Sequence, residues 1–368
     1  MRGYFFRYTN SCANNYYLRK MEDLIVHYLP LENIAEGMYL ARSIFGEDGR
    51  TLLAKGTKLT KSYLEKLKAM NYAFLFVSDR PEDREFAGAL SEQTFSQALG
   101  AVRELFLGVA KHQNLDFKAV LDVVDFMVDE VTDQNVLYNI IDLRNHDHYT
   151  YLHSVNVGTI ATIMGKNLGL SRKELKELAA GALLHDIGKM CIASSILEKK
   201  GRLTYQEFVE MRAHPKYGYE LVKGIPGANL LSAHVAYQHH EREDGSGYPR
   251  GLTGQQIHLY AKIVMVADSY DAMTSGRSYR RTLWSHEALA QLRSEAPEKY
   301  DPQMIRLLAR SVALYPVGSV VLLNNLEVGL VTDVTRRHLK IEFLTGADRG
   351  KEVLLPPDGL LKIERRLS

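Results

Sequence analysis

Leu178-Ala179-Ala180-Gly181-Ala182-Leu183-Leu184-His185-Asp186-Ile187-Gly188-Lys189 is an apolar run that ends on an imidazole and a carboxylate and then turns on a glycine. The run predicts a helix buried over most of its circumference. Leaving a carboxylate and an imidazole unpartnered at its buried end would be costly, whereas a divalent cation would satisfy both. Metal binding is the cheaper explanation. The chain carries its own control in His146-Asp147-His148, a similar doublet among polar residues, where an ordinary surface reading suffices.

Other histidines share the buried setting. Ten of the thirteen fall between His146 and His286. His153 sits in a helical pattern from Tyr151 to Leu168 whose apolar stripe includes Val157, Ile160, Ala161 and Met164. Pro215 biases His214 away from helical geometry. His239 and His240 close a helical run from Leu230. Adjacent helical residues point about 100° apart, so both can face one cleft only where the helix ends. The polar, Gly-rich stretch Glu241 to Pro249 supplies that end. Asp268 follows the apolar run Ile263 to Ala267, and Asp271 lies on the same side one turn later.

Composition narrows the classes. The 368 residues include 46 Lys+Arg and 44 Asp+Glu, a formal charge of +2, so no bulk basic surface points to a nucleic acid polymer as partner. An apolar fraction of 46% with 24% charged residues suits a globular chain of two or three domains. The only cysteines, Cys12 and Cys191, exclude a disulfide scaffold and a thiolate zinc site, and suit a reducing cytoplasmic setting. No run approaches the ~18 apolar residues that cross a bilayer, so no membrane partner is expected. The first twenty residues lack helical or strand periodicity and are followed by Met21; 1–22 are expected to be a loose or mis-annotated extension.

The expected fold is mainly α. A small α+β domain with a hairpin at Glu47-Asp48-Gly49 covers 23–80, and a helical connector covers 81–135. The all-helical catalytic domain runs over 136–314, its helix starts marked by the capping boxes at Ser171/Glu174 and Thr204/Glu207 and by Asp301-Pro302. A small β domain, a barrel or curled sheet, covers 315–368 with runs at Val317 to Leu323, Val328 to Val334, Leu339 to Leu344 and Val353 to Leu355.

Taken in order, His153, His185-Asp186-Ile187-Gly188-Lys189, His214-Pro215, His239-His240-Glu241, Asp244-Gly245-Ser246-Gly247-Tyr248-Pro249, Asp268-Ser269-Tyr270-Asp271-Ala272 and Arg277-Ser278-Tyr279-Arg280 resemble the HD-GYP family of the His-Asp metal-dependent phosphohydrolase superfamily. Tyr28 to Val77 also resembles the small domain that often precedes this catalytic domain in bacterial proteins. The resemblance implies an HD-type fold and hydrolysis of cyclic di-GMP to pGpG and onward to GMP. It implies one metal held by His153, His185, Asp186 and Asp268, and a second held by Asp186, His214, His239 and His240, with Asp186 bridging. Nitrogen and oxygen ligands without thiolate independently suit iron or manganese, while imidazoles also accept zinc, nickel or cobalt. Some family members hold a third metal through a Glu one turn before the first histidine. Tyr149 stands there in this chain, and a neutral phenol is a poor ligand, so two metals are expected; His146 lies two turns before His153 and could face the same way.

The expected chemistry is in-line attack on phosphorus by a hydroxide shared between two cations, with Asp186 and Lys189 as the catalytic side chains. Lys189 resembles the family's phosphate-contacting lysine. Arg277 and Arg280 resemble its substrate-gripping basic pair, with Arg280 where the family often has Lys. Gly247, Tyr248 and Pro249 shape a loop linked in the family to diguanylate cyclase partners, and Asp271 is expected to orient a ligand. Two rival functions are a 3'3'-cyclic GMP-AMP phosphodiesterase and a catalytically silent module that senses the dinucleotide or docks a cyclase. The full ligand set argues against silence. Appended domains on a helical connector suit a homodimer.

Overall fold

The computed structural model describes residues 27–46, 48–70, 72, 74–81, 89–113, 117–133, 149–199, 201–274, 283–334, 338–355 and 361–366. The extension at 1–22, His146, Arg277 and Arg280 lie outside them. The described residues fall into two compact units, one within Met1–Ile44, Leu53–Phe86 and Tyr315–Ser368, the other within Phe45–Leu52 and Ala87–Leu314. Among the described residues no helix is long and apolar enough to cross a membrane.

The first unit contains two antiparallel sheets. Strands His27–Pro30 (β1), Tyr39–Leu40 (β2) and, after a hairpin of Ile44–Phe45 (β3) with Thr51–Leu53 (β4), Phe74–Ser78 (β5) form a sheet in the order β1-β5-β2. Helix Lys61–Ala69 (α1) starts where the Thr60 side chain accepts from the Tyr63 N–H. Toward the C-terminus, Val320–Leu323 (β6), Val328–Val334 (β7), Leu339–Phe343 (β8), Glu352–Leu355 (β9) and Ile363–Arg366 (β10) form a sheet in the order β10-β6-β7-β8-β9. Its core is Val321, Leu323, Val331, Ile341, Phe343 and Leu355. The fifth strand escapes a pattern reading because Ile363-Glu364-Arg365-Arg366 carries one apolar residue; backbone pairing with β6 holds it instead.

The second unit is helical: Glu92–Ala110 (α2), Lys118–Asp133 (α3), Tyr149–Leu168 (α4), Arg172–Leu183 (α5), Ser194–Leu197 (α6) and Tyr205–Met211 (α7). His214–Gly224 (α8), Leu230–Gln238 (α9), Leu259–Thr274 (α10), Ser285–Glu295 (α11) and Pro302–Ala309 (α12) complete it. Both capping boxes form, and the Asp301 side chain accepts from the Gln303 N–H. One continuous core joins Val102 and Phe106 of α2, Val120 and Met127 of α3, Ile160 of α4, Leu183 of α5 and Ile263 of α10. The stretch read from sequence as a connector is therefore structural wall: amphipathic spacing shows that a face is buried but not against what. Arg172 and Lys176 of α5 pair with Asp125 and Asp129 of α3, and Lys166 of α4 donates to the Val131 and Thr132 carbonyls. Phe45–Leu52, the hairpin turn and its flanks, belong to this second unit: Ser96 Oγ of α2 donates to the Gly49 carbonyl at 2.6 Å and the Phe45 and Phe95 rings lie 5.9 Å apart.

Candidate metal centre

Five chain segments bring the titratable residues together. His153 projects from the interior of α4, and Asp268 and Asp271 lie on α10. After α5 the chain tightens: the Leu184 N–H bonds the Ala180 carbonyl, Ile187 bonds Leu184, and a 3₁₀ turn covers Ile187–Cys191, so that His185 and Asp186 leave the helix axis together. Gly188 lets that turn lie against α8. A Cβ there would stand 2.0 Å from the His214 carbonyl oxygen and 2.4 Å from the Gly218 nitrogen. His239 is the cap of α9, with His240 just beyond it.

His214 corrects one expectation. It is the first residue of α8 rather than a break from helical geometry. Pro215 occupies the first turn, where its missing N–H has no intrahelical partner to lose. The ring is aimed by its bond to the Met211 carbonyl, not by a disrupted backbone.

The other rings are aimed the same way. Nδ1 lies 2.7 Å from the Ala182 carbonyl in His185, 2.7 Å from that of Met211 in His214 and 2.9 Å from that of Ala236 in His239. In His153 the partner is Asp271 Oδ2 at 2.7 Å, and Asn156 Nδ2 donates to the other Asp271 oxygen at 3.1 Å. With Nδ1 so engaged, the Nε2 of each ring faces inward. Those four atoms surround Asp186: Oδ2 is 3.3 Å from His185 and 3.8 Å from His153, while Oδ1 is 3.4 Å from His214 and 3.7 Å from His239. Asp268 Oδ1 is 3.1 Å from His153 Nε2. The ligand atoms of Asp186, His214, His239 and His240 all lie within 4.8 Å of one another, and those of His153, His185 and Asp186 form a second such set.

Burial opposes charge at each of these groups, and the neighbours decide what remains. Burial pushes the His214 imidazole down to about 3 and lowers His239 and His240 as well, so these rings are neutral lone-pair donors. Burial works against ionisation of Asp186 too, but Lys189 and His185 hold its carboxyl well below the usual carboxylate range. Asp268 stays low against the same burial because of His153. His153 itself, which burial alone would lower, is raised to about 9 by its bonds to Asp268 and Asp271. His185 Nε2 and Asp186 Oδ1 are buried without a hydrogen bond. The neutral imidazoles of His214, His239 and His240, the ionised Asp186 and Asp268 and two orphaned inward atoms, with no thiolate, fit a divalent cation, and a cation at His153 would displace the proton that its carboxylate neighbours favour.

Lys189 pairs with Asp186 at the rim of this cluster. Tyr149 opens α4, one turn before His153. Sequence reading assigned no role to Asn156, Glu241 or Arg212. Asn156 is one turn beyond His153 on α4, and helical spacing alone could have flagged it. Glu241 is fully buried directly after the His239-His240 pair; its carboxylate accepts from the Arg250 N–H at 2.8 Å and the Leu252 N–H at 2.9 Å, pinning the loop that carries Tyr248. Gly247 passes so close beneath that a Cβ would lie 2.4 Å from both the Arg242 nitrogen and Glu241 Cα. Tyr248 stacks on His240 with ring centroids 4.7 Å apart and 23° between planes. Glu241→Ala would strip the two buried N–H groups of their acceptor and is expected to lower stability by about 2 kcal/mol or more. Thermal denaturation checks this; a melting temperature equal to that of the unsubstituted protein would contradict the pinning role.

The HD domain family matches residues 135–304. The cyclic di-GMP phosphodiesterase PA4108 of Pseudomonas aeruginosa is 36% identical over 245 residues, which cover 66% of this chain and 59% of that protein. The cyclic di-GMP phosphodiesterase response regulator RpfG of Xanthomonas campestris pv. campestris is 42% identical over 155 residues, 42% of this chain and 41% of its own length. The 3'3'-cGAMP-specific phosphodiesterase 3 of Vibrio cholerae is 34% identical over 168 residues, 46% of this chain and 36% of its own. The chain thus spans between 36% and 59% of the length of these relatives. Among solved structures, Bd1817, a HDG"Y"P protein from Bdellovibrio bacteriovorus, superposes with a TM-score of 0.50 at 16% identity, over 77% of this chain and 98% of that one. At that identity the likeness speaks for the fold alone.

Proposed function

We propose, from the match of residues 135–304 to the HD domain family, that the chain is a metal-dependent phosphodiesterase that opens cyclic di-GMP to linear pGpG. The observation that carries the reading is the convergence of four inward imidazole nitrogens on the buried Asp186 carboxylate. The names of the relatives from Pseudomonas and Xanthomonas supply the substrate class.

We assign one cation to His153, His185, Asp186 and Asp268, and the other to Asp186, His214, His239 and His240, with iron or manganese in both. A bound pair of such cations supplies charge for the phosphate oxygens and lowers the pKa of water toward neutrality. Within the protein, Asp271 fixes the ring and tautomer of His153, and Glu241 fixes the loop against which His240 stacks. Lys189 Nζ, resting on Asp186, offers positive charge to the phosphorus-bound oxygens as they gain charge in the transition state. In the balanced reaction the oxygen of water bonds to phosphorus, the P–O3′ bond breaks, and the 3′ oxygen leaves with a proton. The product carries a 5′-phosphate and a free 3′-hydroxyl, and a second hydrolysis yields GMP. Arg277 and Arg280 are assigned to the substrate on the motif alone.

Lys189→Ala is expected to keep its metals and lower kcat by about 10²-fold; an unchanged rate would remove Lys189 from the reaction. The protein's metal site addresses phosphate rather than base, and a relative in Vibrio cholerae is named for 3'3'-cGAMP. Anaerobic, metal-loaded protein should therefore be given cyclic di-GMP and 3'3'-cGAMP in equal amounts and the products separated by chromatography. Faster consumption of cyclic di-GMP with pGpG formation is expected. Preference for the mixed dinucleotide would move the substrate assignment, and turnover of neither would refute the enzyme reading.

A further inference from the structure

Arg212 is a cation beside the centre that none of the roles above uses. It lies in the turn between α7 and α8, two residues before His214, and that turn is anchored by the 2.7 Å approach of the Met211 carbonyl to His214 Nδ1. The guanidinium carbon stands 4.5 Å from the Tyr248 ring centroid and 5.7 Å from that of Phe208. Tyr248 in turn is the ring stacked on His240. Arg212 is thus tied to the metal-site imidazoles twice, along the chain through His214 and through space by way of Tyr248. It is half-buried, and among the described residues its side chain pairs with no carboxylate and makes no hydrogen bond. Two nearby cations are already engaged, Lys189 with Asp186 and Arg242 with the Glu241 carbonyl and the Tyr300 ring.

A guanidinium held against an aromatic face keeps the N–H groups along its edge available, and that edge matches a pair of phosphate oxygens. A cyclic dinucleotide carries two phosphodiesters in one ring. When one of them lies at the Asp186 cluster, the other brings a second negative charge into the same cleft, and that charge needs a partner as the site closes off from water. We propose that Arg212 binds the second, non-scissile phosphate of the cyclic dinucleotide, with Tyr248 setting the plane of its guanidinium. The inference rests on the phosphodiesterase reading above and deepens it. It makes the protein selective for a ring bearing two phosphates over a simple diester bearing one.

The test compares wild type, Arg212→Ala and Arg212→Lys on cyclic di-GMP and on bis(p-nitrophenyl) phosphate, which has a single phosphodiester, with metal content measured on each protein. For Arg212→Ala, KM for cyclic di-GMP is expected to rise about tenfold or more, the range of a lost charge-assisted hydrogen bond. The loss in kcat/KM on cyclic di-GMP should exceed the loss on bis(p-nitrophenyl) phosphate by a similar factor, and Arg212→Lys should recover part of it. A KM within about twofold of wild type, or equal losses on the two substrates, would overturn the proposal. Loss of metal from both variants would also overturn it, because Arg212 would then only support the centre. Wild-type protein that cleaves bis(p-nitrophenyl) phosphate but leaves cyclic di-GMP intact would instead sink the substrate reading, and the inference with it.

Discussion

Asp186→Ala is expected to lose its metals and its hydrolysis together, with a fall in turnover of about 10³-fold or more. Asp186 is 1% exposed and is the only carboxylate that belongs to both sets of potential ligands among the described residues. Its two oxygens divide the work: one faces His153 and His185, the other His214 and His239. Without that shared anion the His214, His239 and His240 set has no carboxylate left and the other keeps only Asp268, so the negative charge that balances two divalent cations in a buried site is lost. Asp186→Asn keeps the shape and removes the charge, so it should behave like the alanine variant if charge is what matters. Elemental analysis and a turnover assay on the same preparations decide the matter. Retention of two metals, or hydrolysis near the wild-type rate, would show that Asp186 is not shared between them.

Gly188→Ala is expected to be the most damaging of the small substitutions. The added Cβ would meet two backbone groups of α8, the His214 carbonyl at 2.0 Å and the Gly218 nitrogen at 2.4 Å, and backbone cannot rotate aside as a side chain can. Overpacking of this kind costs about 3 kcal/mol, which corresponds to a fall of roughly 6–12 °C in melting temperature for a unit of this size. The turn carrying Asp186 and the helix start carrying His214 would be forced apart, so metal retention should fall as well. Gly224 in the same α8 has nothing within 4 Å of its Cβ position, and Gly224→Ala serves as the control, neutral or slightly stabilising. Equal melting temperatures for the two variants would show that the turn and the helix are not in the close approach described.

Much of this centre is legible in the chain because burial and chemistry conflict visibly there. An apolar run ending on His185-Asp186, and paired histidines at the end of α9, only make sense if something satisfies them. Helix starts were equally readable, since a capping box is a local device with both partners three residues apart. What stayed hidden depends on distance along the chain. Asp271 was expected to orient a ligand, but that the ligand is His153, 118 positions away, is not written in the periodicity, nor is the meeting of Ser91 and Thr94 at the start of one helix with Glu130 on another. The same blindness turned α2 and α3 into a supposed connector, although both fill the core beside α4 and α5. Glu241 looked like an ordinary charged residue at a helix end. Only the path of the loop, which folds the Arg250 and Leu252 N–H groups back over it, makes its carboxylate structural.

The most direct measurement is the metal content and the reaction product determined on one anaerobically purified sample, before and after chelation. Two iron or manganese ions per chain, conversion of cyclic di-GMP to pGpG by the loaded protein, and no conversion once the ions are stripped are expected. Undiminished conversion by the stripped protein, or intact cyclic di-GMP after incubation with a fully loaded one, would contradict the assignment of these histidines and aspartates to a phosphodiester-cleaving metal centre.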